Sequence, residues 1–140
     1  MKYMLLVYLD ENCLTEAERN SCYHDSAKLA RDLSESGNYV DASPLELTPT
    51  ATSVRVRSGK RLVTDGPFAE TREQLGGYYL IEATDLDEAI GIATRVPIIT
   101  RGTVEIRPVM AISGLPGEPP ATGGLPSQVS AKVGVTNQKR

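Results

Sequence analysis

The hydrophobic pattern is densest in two short segments of the chain. Residues 2–9 and 76–83 are apolar at nearly every position, which is typical of central strands that are covered on both faces. Shorter apolar or alternating segments predict four further strands, at residues 38–47, 53–57, 61–64 and 103–109. A Ser58-Gly59-Lys60 turn joins two of them as a β-hairpin.

Two other segments carry an apolar stripe with helical spacing. In the first, Thr15 and Glu18 form a capping-box pattern that opens a helix, and Gly37 ends it. At 100° per residue, Ser26 falls on the apolar stripe of this helix and faces inward. His24 falls on the opposite side, so we expect it to face water and not to act as a catalyst.

The order of elements predicts the fold class. A second capping-box pair, Asp85 with Glu88, opens another helix, which Pro97 ends. The order is then β-α-β, a hairpin, a loop and β-α-β, which indicates an α+β ferredoxin-like sandwich with an extra β-hairpin. Two helices cover one face of such a sheet, whereas its apolar strands need cover on both. We therefore expect a symmetric homodimer that packs sheet against sheet.

Length and charge restrict the class of protein. The chain has 140 residues, with 15 basic and 18 acidic side chains. We expect one domain in residues 1–112, followed by a Gly/Pro-rich C-terminal tail in residues 113–140. A mildly acidic domain without a basic stripe is a poor candidate for nucleic-acid binding. No apolar run approaches the ~20 residues that span a bilayer, and no signal-peptide cleavage pattern is present, so we expect no membrane contact and a cytoplasmic location.

The two cysteines give little sign of a metal site or a disulfide. Cys13 and Cys22 lie nine residues apart, which matches no recognised metal-ligand spacing. Cys22 falls within the first predicted helix and Cys13 just before it, which is awkward geometry for a disulfide. We expect free thiols, no metal and no cofactor.

The segment Asp65–Glu73, Asp-Gly-Pro-Phe-Ala-Glu-Thr-Arg-Glu, is the strongest candidate for chemistry. Pro fixes φ and Gly adopts angles that other residues resist, so the turn holds the Asp65 carboxylate in one direction. That carboxylate is a candidate general base or ligand anchor. The alternative is an Asx-turn, in which it only accepts backbone N–H groups. We expect Phe68 to anchor the loop to the core.

Several other polar residues are candidates for substrate binding. Glu70 and Arg72 could contact a polar substrate, or they could belong to a solvated helical turn. Arg55 and Arg107 offer guanidinium groups suited to a carboxylate or phosphate, if their strand faces line the dimer cleft. An exposed, salt-bridged edge is an equal alternative for both. Tyr78 and its neighbour point to opposite faces, so one of the two could line the cleft.

The same residues carry a family resemblance. Residues 65–73, together with Gly76-Gly77-Tyr78 and Glu105-Ile106-Arg107-Pro108, resemble the DGPFAETKE-motif proteins, a branch of the YCII-related superfamily. Arg72 stands where the family has Lys, and the resemblance covers about residues 1–110. It implies a dimeric ferredoxin-like α/β-barrel. Most members of this branch have no established activity, and some accompany extracytoplasmic-function sigma factors, so a sigma factor is a partner by resemblance only.

The resemblance also bears on catalysis. Elsewhere in the superfamily a His on the first helix pairs with an Asp like Asp65, and a dehydrochlorinase of a hydroxylated aromatic is known. In this chain that His position falls near Ser26, which makes Asp65 and Ser26 the candidate catalytic pair and departs from a His–Asp dyad. One hypothesis is therefore a lyase, isomerase or hydrolase that uses Asp65 in a dimer cleft. The other is a non-catalytic small-ligand-binding or regulatory dimer in which residues 65–73 form a structural clasp.

Overall fold

A computed structural model of the chain describes residues 1–117. Most of the predicted tail, residues 113–140, lies outside the described residues. The elements in chain order are β1 (Lys2–Leu9), α1 (Glu16–Glu35), β2 (Tyr39–Pro44), β3 (Thr52–Arg57), β4 (Lys60–Asp65), β5 (Gln74–Glu82), α2 (Leu86–Ala93) and β6 (Gly102–Pro108), with short 3₁₀ turns at Glu11–Cys13, Thr48–Thr50 and Pro97–Thr100.

Four of the strands form one antiparallel sheet in the order β2-β5-β1-β6. Leu5 in the middle of β1 lies opposite Tyr79 of β5 on one side and Ile106 of β6 on the other. The first and last strands are thus neighbours. The connection from β1 through α1 to β2 passes over β5, and the connection from β5 through α2 to β6 passes over β1. This mixed arrangement, with two helices and antiparallel sheets, is compatible with the predicted ferredoxin-like α+β fold.

The core lies between this sheet and the two helices. Tyr3, Leu5 and Val7 of β1 are buried on the face that the helices cover, whereas the residues between them are half-buried on the other face. This alternation means that the helices cover one face only. The other buried apolar side chains are Leu29, Leu33, Tyr79, Ile81, Ala83, Ala89, Ile92, Ala93, Val96 and Ile98.

The capping box predicted for α1 is present. The Thr15 hydroxyl accepts a 3.1 Å hydrogen bond from the Glu18 N–H, and the Glu18 carboxylate accepts one of 2.9 Å from the Thr15 N–H. The hydrogen bond from the Thr15 N–H, followed by one from the Arg101 guanidinium, holds the pKa of Glu18 below its usual range. The chain leaves the helix at Gly37, whose φ of 83° suits glycine. His24 is exposed, as its place on the helix predicted.

The cap of α2 differs in one respect from the predicted box. Asp85 accepts a 2.9 Å hydrogen bond from the Glu88 N–H, as expected. The Glu88 carboxylate, however, accepts from the N–H of Thr84 at 2.7 Å, one residue before the N-cap. This contact lowers the pKa of Glu88. Among residues 1–117, no helix is long and apolar enough to cross a bilayer.

The remaining two strands, β3 and β4, pair only with each other and form a separate hairpin. Ser58 and Gly59 have φ angles of 52° and 74°, as a type I′ two-residue turn requires. The hairpin stands apart from the core, because Val54 and Val63, which face each other across it, are 62% and 56% exposed.

Three local predictions for this part of the chain were wrong. Phe68 does not anchor the loop, since its side chain is 78% exposed. Residues 66–73 form bends and contain no helical turn. Strand β2 ends at Pro44, before the predicted end at Leu47, and the chain then turns toward the hairpin.

Candidate functional site

A cavity of about 470 Å³ lies between α1 and the helix-facing side of β1, β2 and β5. It exists because small residues face one another there: Ser26 and Ala30 on α1, and Ala42 and Gly77 on the strands. Gly77 has no room for a side chain, because a Cβ atom there would lie 3.0 Å from the Ser43 carbonyl oxygen. Close strand packing at this glycine and short side chains on α1 therefore leave a space under the helix.

Within the largely apolar wall of the cavity, three polar side chains lie next to one another: Cys22 and Ser26 on α1, and Tyr79 on β5. The Tyr79 hydroxyl donates a 3.2 Å hydrogen bond to the main-chain oxygen of Ser26. Burial raises the pKa of both Tyr79 and Cys22, and contact with Ser26 opposes part of that shift. The thiol and the phenol are therefore neutral at neutral pH, so the thiol can donate a hydrogen bond to a ligand, and the Tyr79 oxygen, whose proton goes to Ser26, can accept one.

The 3₁₀ turn that follows β1 contributes Glu11 to the cavity wall. The Glu11 carboxylate accepts hydrogen bonds from the Thr48 N–H at 2.8 Å and from the Thr48 hydroxyl at 2.6 Å. The Glu11 N–H donates to the Gln74 side-chain oxygen at 2.9 Å, and the Arg19 guanidinium donates to the Glu11 main-chain oxygen at 3.0 Å. Glu11 and Arg19 both line the cavity. These contacts fix the position of the cavity's charged end.

The sheet face that the helices leave uncovered also holds polar pairs. The Tyr78 hydroxyl donates a 2.7 Å hydrogen bond to the Asp41 carboxylate, which raises the pKa of Tyr78. At the opposite edge of this face, on β6, Glu105 and Arg107 form an ion pair at 3.5 Å. Burial, followed by the nearby Glu105, raises the pKa of Tyr8. Half-buried apolar residues of β1 and β5 lie between these two polar groups.

Asp65 is exposed at the end of β4 and does not line the cavity. Among residues 1–117, no group donates a hydrogen bond to its carboxylate. The turn after it is held by other groups: the Gly66 N–H donates to the Ala51 carbonyl at 2.7 Å, and the Ser53 hydroxyl donates to the Gly66 carbonyl at 2.8 Å. Within the described chain, Asp65 is thus neither enclosed with Ser26 nor occupied by backbone N–H groups.

The other predicted site residues are spread over the surface. Arg55 lies on the hairpin, Glu70 and Arg72 in the following loop, and Arg107 on the edge strand β6, and all four are exposed. None of them lines the cavity. Of the predicted site residues, the structure places Ser26 and Tyr78 at the cavity and keeps the rest away from it.

Sequence reasoning missed the charged end of the cavity. Arg19 lies three residues before Cys22 and seven before Ser26, so it continues the inward stripe of α1. The signal was present but was hidden by the expectation that an arginine on a helix faces water. The pair Gly76-Gly77 was a second signal, since glycine within a strand often marks a close backbone approach.

The described residues contain no obvious metal site. Within residues 1–117, no three His, Cys, Asp or Glu side chains come together as ligands. Cys13 and Cys22 are free thiols, as the sequence predicted.

Comparison with known proteins adds the family context. The YCII-related domain matches residues 1–113 of this chain. An uncharacterised protein of Rhizobium meliloti (strain 1021) is 35% identical over 126 residues, which cover 86% of this chain and 100% of the relative. The family match extends over all the strands and helices described above.

Proposed function

We propose that this chain, which belongs to the YCII-related domain family, binds a small organic molecule in the cavity under α1. The observation that carries this proposal is a space of about 470 Å³ with a largely apolar wall and three clustered polar groups, Cys22, Ser26 and Tyr79. Ligand sites in proteins combine these same properties, since apolar walls supply affinity and a few placed polar groups fix orientation.

Binding without catalysis is the function that this geometry supports best. The carboxylate that lines the cavity belongs to Glu11, and both of its oxygens accept hydrogen bonds from Thr48. Cys22 and Tyr79 have raised pKa values, which keep them protonated and poorly suited to act as bases. His24 is exposed on the opposite side of α1. Among the described residues, the cavity thus has hydrogen-bond donors but lacks a free general base.

A second candidate function is catalysis by Asp65 in a cleft between two copies of the chain. The supporting observation is that the Asp65 carboxylate has no hydrogen-bond donor among residues 1–117 and lies on the same hairpin face as Val54 and Val63. Docking of that face on a second copy would enclose the carboxylate and supply the desolvated environment that a general base requires. Arg55, Arg72, Arg107 and Glu70 would contact the substrate only if the second copy brings them together.

We also propose that the chain forms a homodimer, whichever of the two functions it has. Two surfaces favour it: the uncovered sheet face, with its half-buried apolar residues, and the hairpin, where Val54 and Val56 are 62% and 61% exposed. Charge favours it as well. Residues 52–65 hold four basic and one acidic side chain, a net of +3, whereas the rest of residues 1–112 hold eight basic and sixteen acidic, a net of −8. A hairpin of one copy is therefore attracted to the acidic body of another.

Finer assignments rest on the resemblance of residues 65–73. On that basis we place the chain in the DGPFAETKE-motif branch, with the dimeric α/β-barrel arrangement and a cytoplasmic location. A sigma-factor partner rests on the resemblance alone, and co-purification with tagged sigma factors would test it.

The ligand proposal is tested by a thermal-shift screen of small apolar acids, alcohols and phenols on two variants of α1. In Ser26→Leu the new side chain projects into the cavity, so we expect most of the ligand-induced shift in Tm to be lost. In His24→Leu the same side chain is placed on the exposed side of the helix, and the shift should remain. Full ligand shifts in Ser26→Leu would contradict the proposal.

A further inference from the structure

We infer that the ligand of the cavity is an amphiphilic monoanion whose carboxylate is bound by Arg19. This inference rests on the proposed ligand-binding function and specifies the chemistry of that ligand. It depends on three features of the cavity: the position of Arg19, the free donors of its guanidinium, and the occupation of the neighbouring Glu11 carboxylate.

Arg19 is placed by the first two turns of α1. It lies on the same helical stripe as Cys22 and Ser26, and its side chain is half-buried at the cavity wall. A guanidinium has five N–H donors. One nitrogen of Arg19 donates to the Glu11 main-chain oxygen at 3.0 Å. The other N–H groups have no acceptor among residues 1–117 and are available to a ligand.

Among residues 1–117, the Arg19 guanidinium forms no ion pair with a carboxylate. Ion pairs in this part of the chain include those of the chain's amino terminus, Lys28, Arg101 and Arg107. Glu11 is the acidic residue that lines the cavity, but Thr48 donates to both of its carboxylate oxygens. A half-buried guanidinium at an apolar wall is stabilised by a carboxylate, which it can bind through two parallel hydrogen bonds.

A second cation, Arg31, also lines the cavity, but its position differs. It lies twelve residues after Arg19 on α1, roughly 18 Å further along the helix axis. One small ligand head cannot contact both guanidinium groups. Arg31 is exposed, and its charge is therefore solvated, whereas Arg19 is half-buried beside the 3₁₀ turn that holds Glu11. Arg19 is thus the residue that gains from an anionic ligand, and Arg31 provides a matched control.

The remaining wall of the cavity limits the chemistry of the remaining part of the ligand. Beyond Arg19 the wall consists mainly of aliphatic side chains, including Val7, Leu9, Leu14 and Leu47. Such a wall excludes a second charge, because an unpaired ion loses its hydration there. A ligand with one carboxylate and an apolar body satisfies both parts of the cavity.

The test compares probes that differ only in the head group, using the full-length protein and isothermal titration below the micelle concentration. Decanoate, decan-1-ol and decyltrimethylammonium form one set, and 2-naphthoate with 2-naphthol form a second set with an aromatic body. We expect each carboxylate to bind about 10-fold or more tightly than the matching alcohol, as a charge-assisted hydrogen bond predicts.

Variants assign the effect to Arg19. Arg19→Gln should remove the preference for the carboxylate and leave the affinity for the alcohol nearly unchanged, whereas Arg31→Gln should keep the preference. Arg19→Lys retains the charge and should keep a reduced preference, which separates loss of charge from loss of structure.

The outcomes distinguish the two proposals. If alcohols bind as tightly as carboxylates, if the cation binds best, or if Arg31→Gln and not Arg19→Gln removes the preference, the anion inference is wrong while ligand binding stands. If no member of either set binds, or if all bind equally well to Ser26→Leu, the cavity is not the ligand site and both proposals are wrong.

Discussion

The Tyr79 hydroxyl donates a hydrogen bond to the main-chain oxygen of Ser26 and so joins strand β5 to helix α1 across the wall of the cavity, at 3.2 Å. Because the Tyr79 ring is buried and its hydrogen bond is partly buried, we expect Tyr79→Phe to lower the free energy of unfolding by about 1 kcal/mol. Urea denaturation followed by circular dichroism measures this loss.

The neighbouring tyrosine provides the control. Tyr78 also borders the cavity, but its hydroxyl donates to the exposed Asp41 carboxylate on the opposite face of the sheet. Tyr78→Phe should therefore change stability less than Tyr79→Phe. A larger loss in Tyr78→Phe would contradict the assignment of Tyr79 to the helix–sheet contact.

The Cys22 thiol should react slowly with thiol reagents. Burial raises the pKa of Cys22, so the reactive thiolate is scarcer at pH 8 than in an unperturbed cysteine. We expect the Cys13→Ser variant, in which Cys22 is the remaining cysteine, to be labelled by Ellman's reagent more slowly than a free-cysteine peptide.

Two further measurements test this expectation. The labelling rate of Cys13→Ser should continue to rise at pH values where the peptide has reached its plateau, and a bound ligand should slow it further. A rate equal to that of the peptide, unaffected by ligand, would show that Cys22 does not line the cavity that binds the ligand.

The hairpin should contribute to association of two copies through one of its faces. Val63 pairs with Val54 on the apolar face, whereas Leu62 pairs with Arg55 on the basic face. We expect Val63→Lys to weaken dimerisation by at least 10-fold, since a charge would be buried against the partner. Leu62→Lys, the same change one residue away, should have a smaller effect. Sedimentation equilibrium measures both, and a monomeric parent protein would contradict the dimer proposal.

Acid should destabilise the protein through its helix caps. Hydrogen bonds from Thr15 and Thr84 lower the pKa values of Glu18 and Glu88 in the folded state. A lowered folded-state pKa stabilises the fold above the unfolded value of about 4.3. That stabilisation is lost as the pH falls from there through the lowered pKa of each folded carboxyl. We expect Tm to fall between pH 5 and pH 3, as differential scanning calorimetry can measure.

Removal of the two carboxylates should flatten this pH dependence. The double variant Glu18→Gln and Glu88→Gln should start from a lower Tm at pH 6 and lose less on acidification. The isosteric change Asp32→Asn, at a residue whose partner is the exposed Lys28, is the control and should retain the parental slope. An unchanged slope in the double variant would assign acid sensitivity to other groups.

Asp65→Asn tests the second candidate function. Since no group among residues 1–117 donates a hydrogen bond to this carboxylate, the change should leave Tm of the protein nearly unaltered. If Asp65 serves a cleft between copies, the variant should still dimerise but lose any ligand response that depends on that cleft. A loss of several degrees, or of the dimer, would indicate a structural clasp.

The sequence predicted the elements well because their signals are local. Thr15 and Glu18 are only three residues apart, and their mutual hydrogen bonds start α1 where the pattern indicated. The two-residue turn at Ser58 and Gly59 likewise needs only backbone angles that these positions adopt. Predictions of this kind depend on neighbours along the chain.

The candidate site was harder to predict because it depends on distant residues. The cavity arises where Ser26 on a helix faces Ala42 and Gly77 on two strands, and no single segment reveals that their side chains are jointly too small to fill the space. Phe68 shows the same limit. Its hydrophobicity suggested burial, but the hairpin carries its loop away from the core, so the ring is 78% exposed.

The placement of the hairpin has a consequence for how proteins of this type diverge. The strands on either side of it, β2 and β5, are direct neighbours in the main sheet, so a short loop after Pro44 could connect them without altering any strand register. Evolution can thus lengthen or shorten the hairpin itself while Leu47, which precedes it, stays in the cavity wall and Thr48 stays bonded to Glu11. Relatives that share the cavity can then differ in the partners that their hairpins recognise.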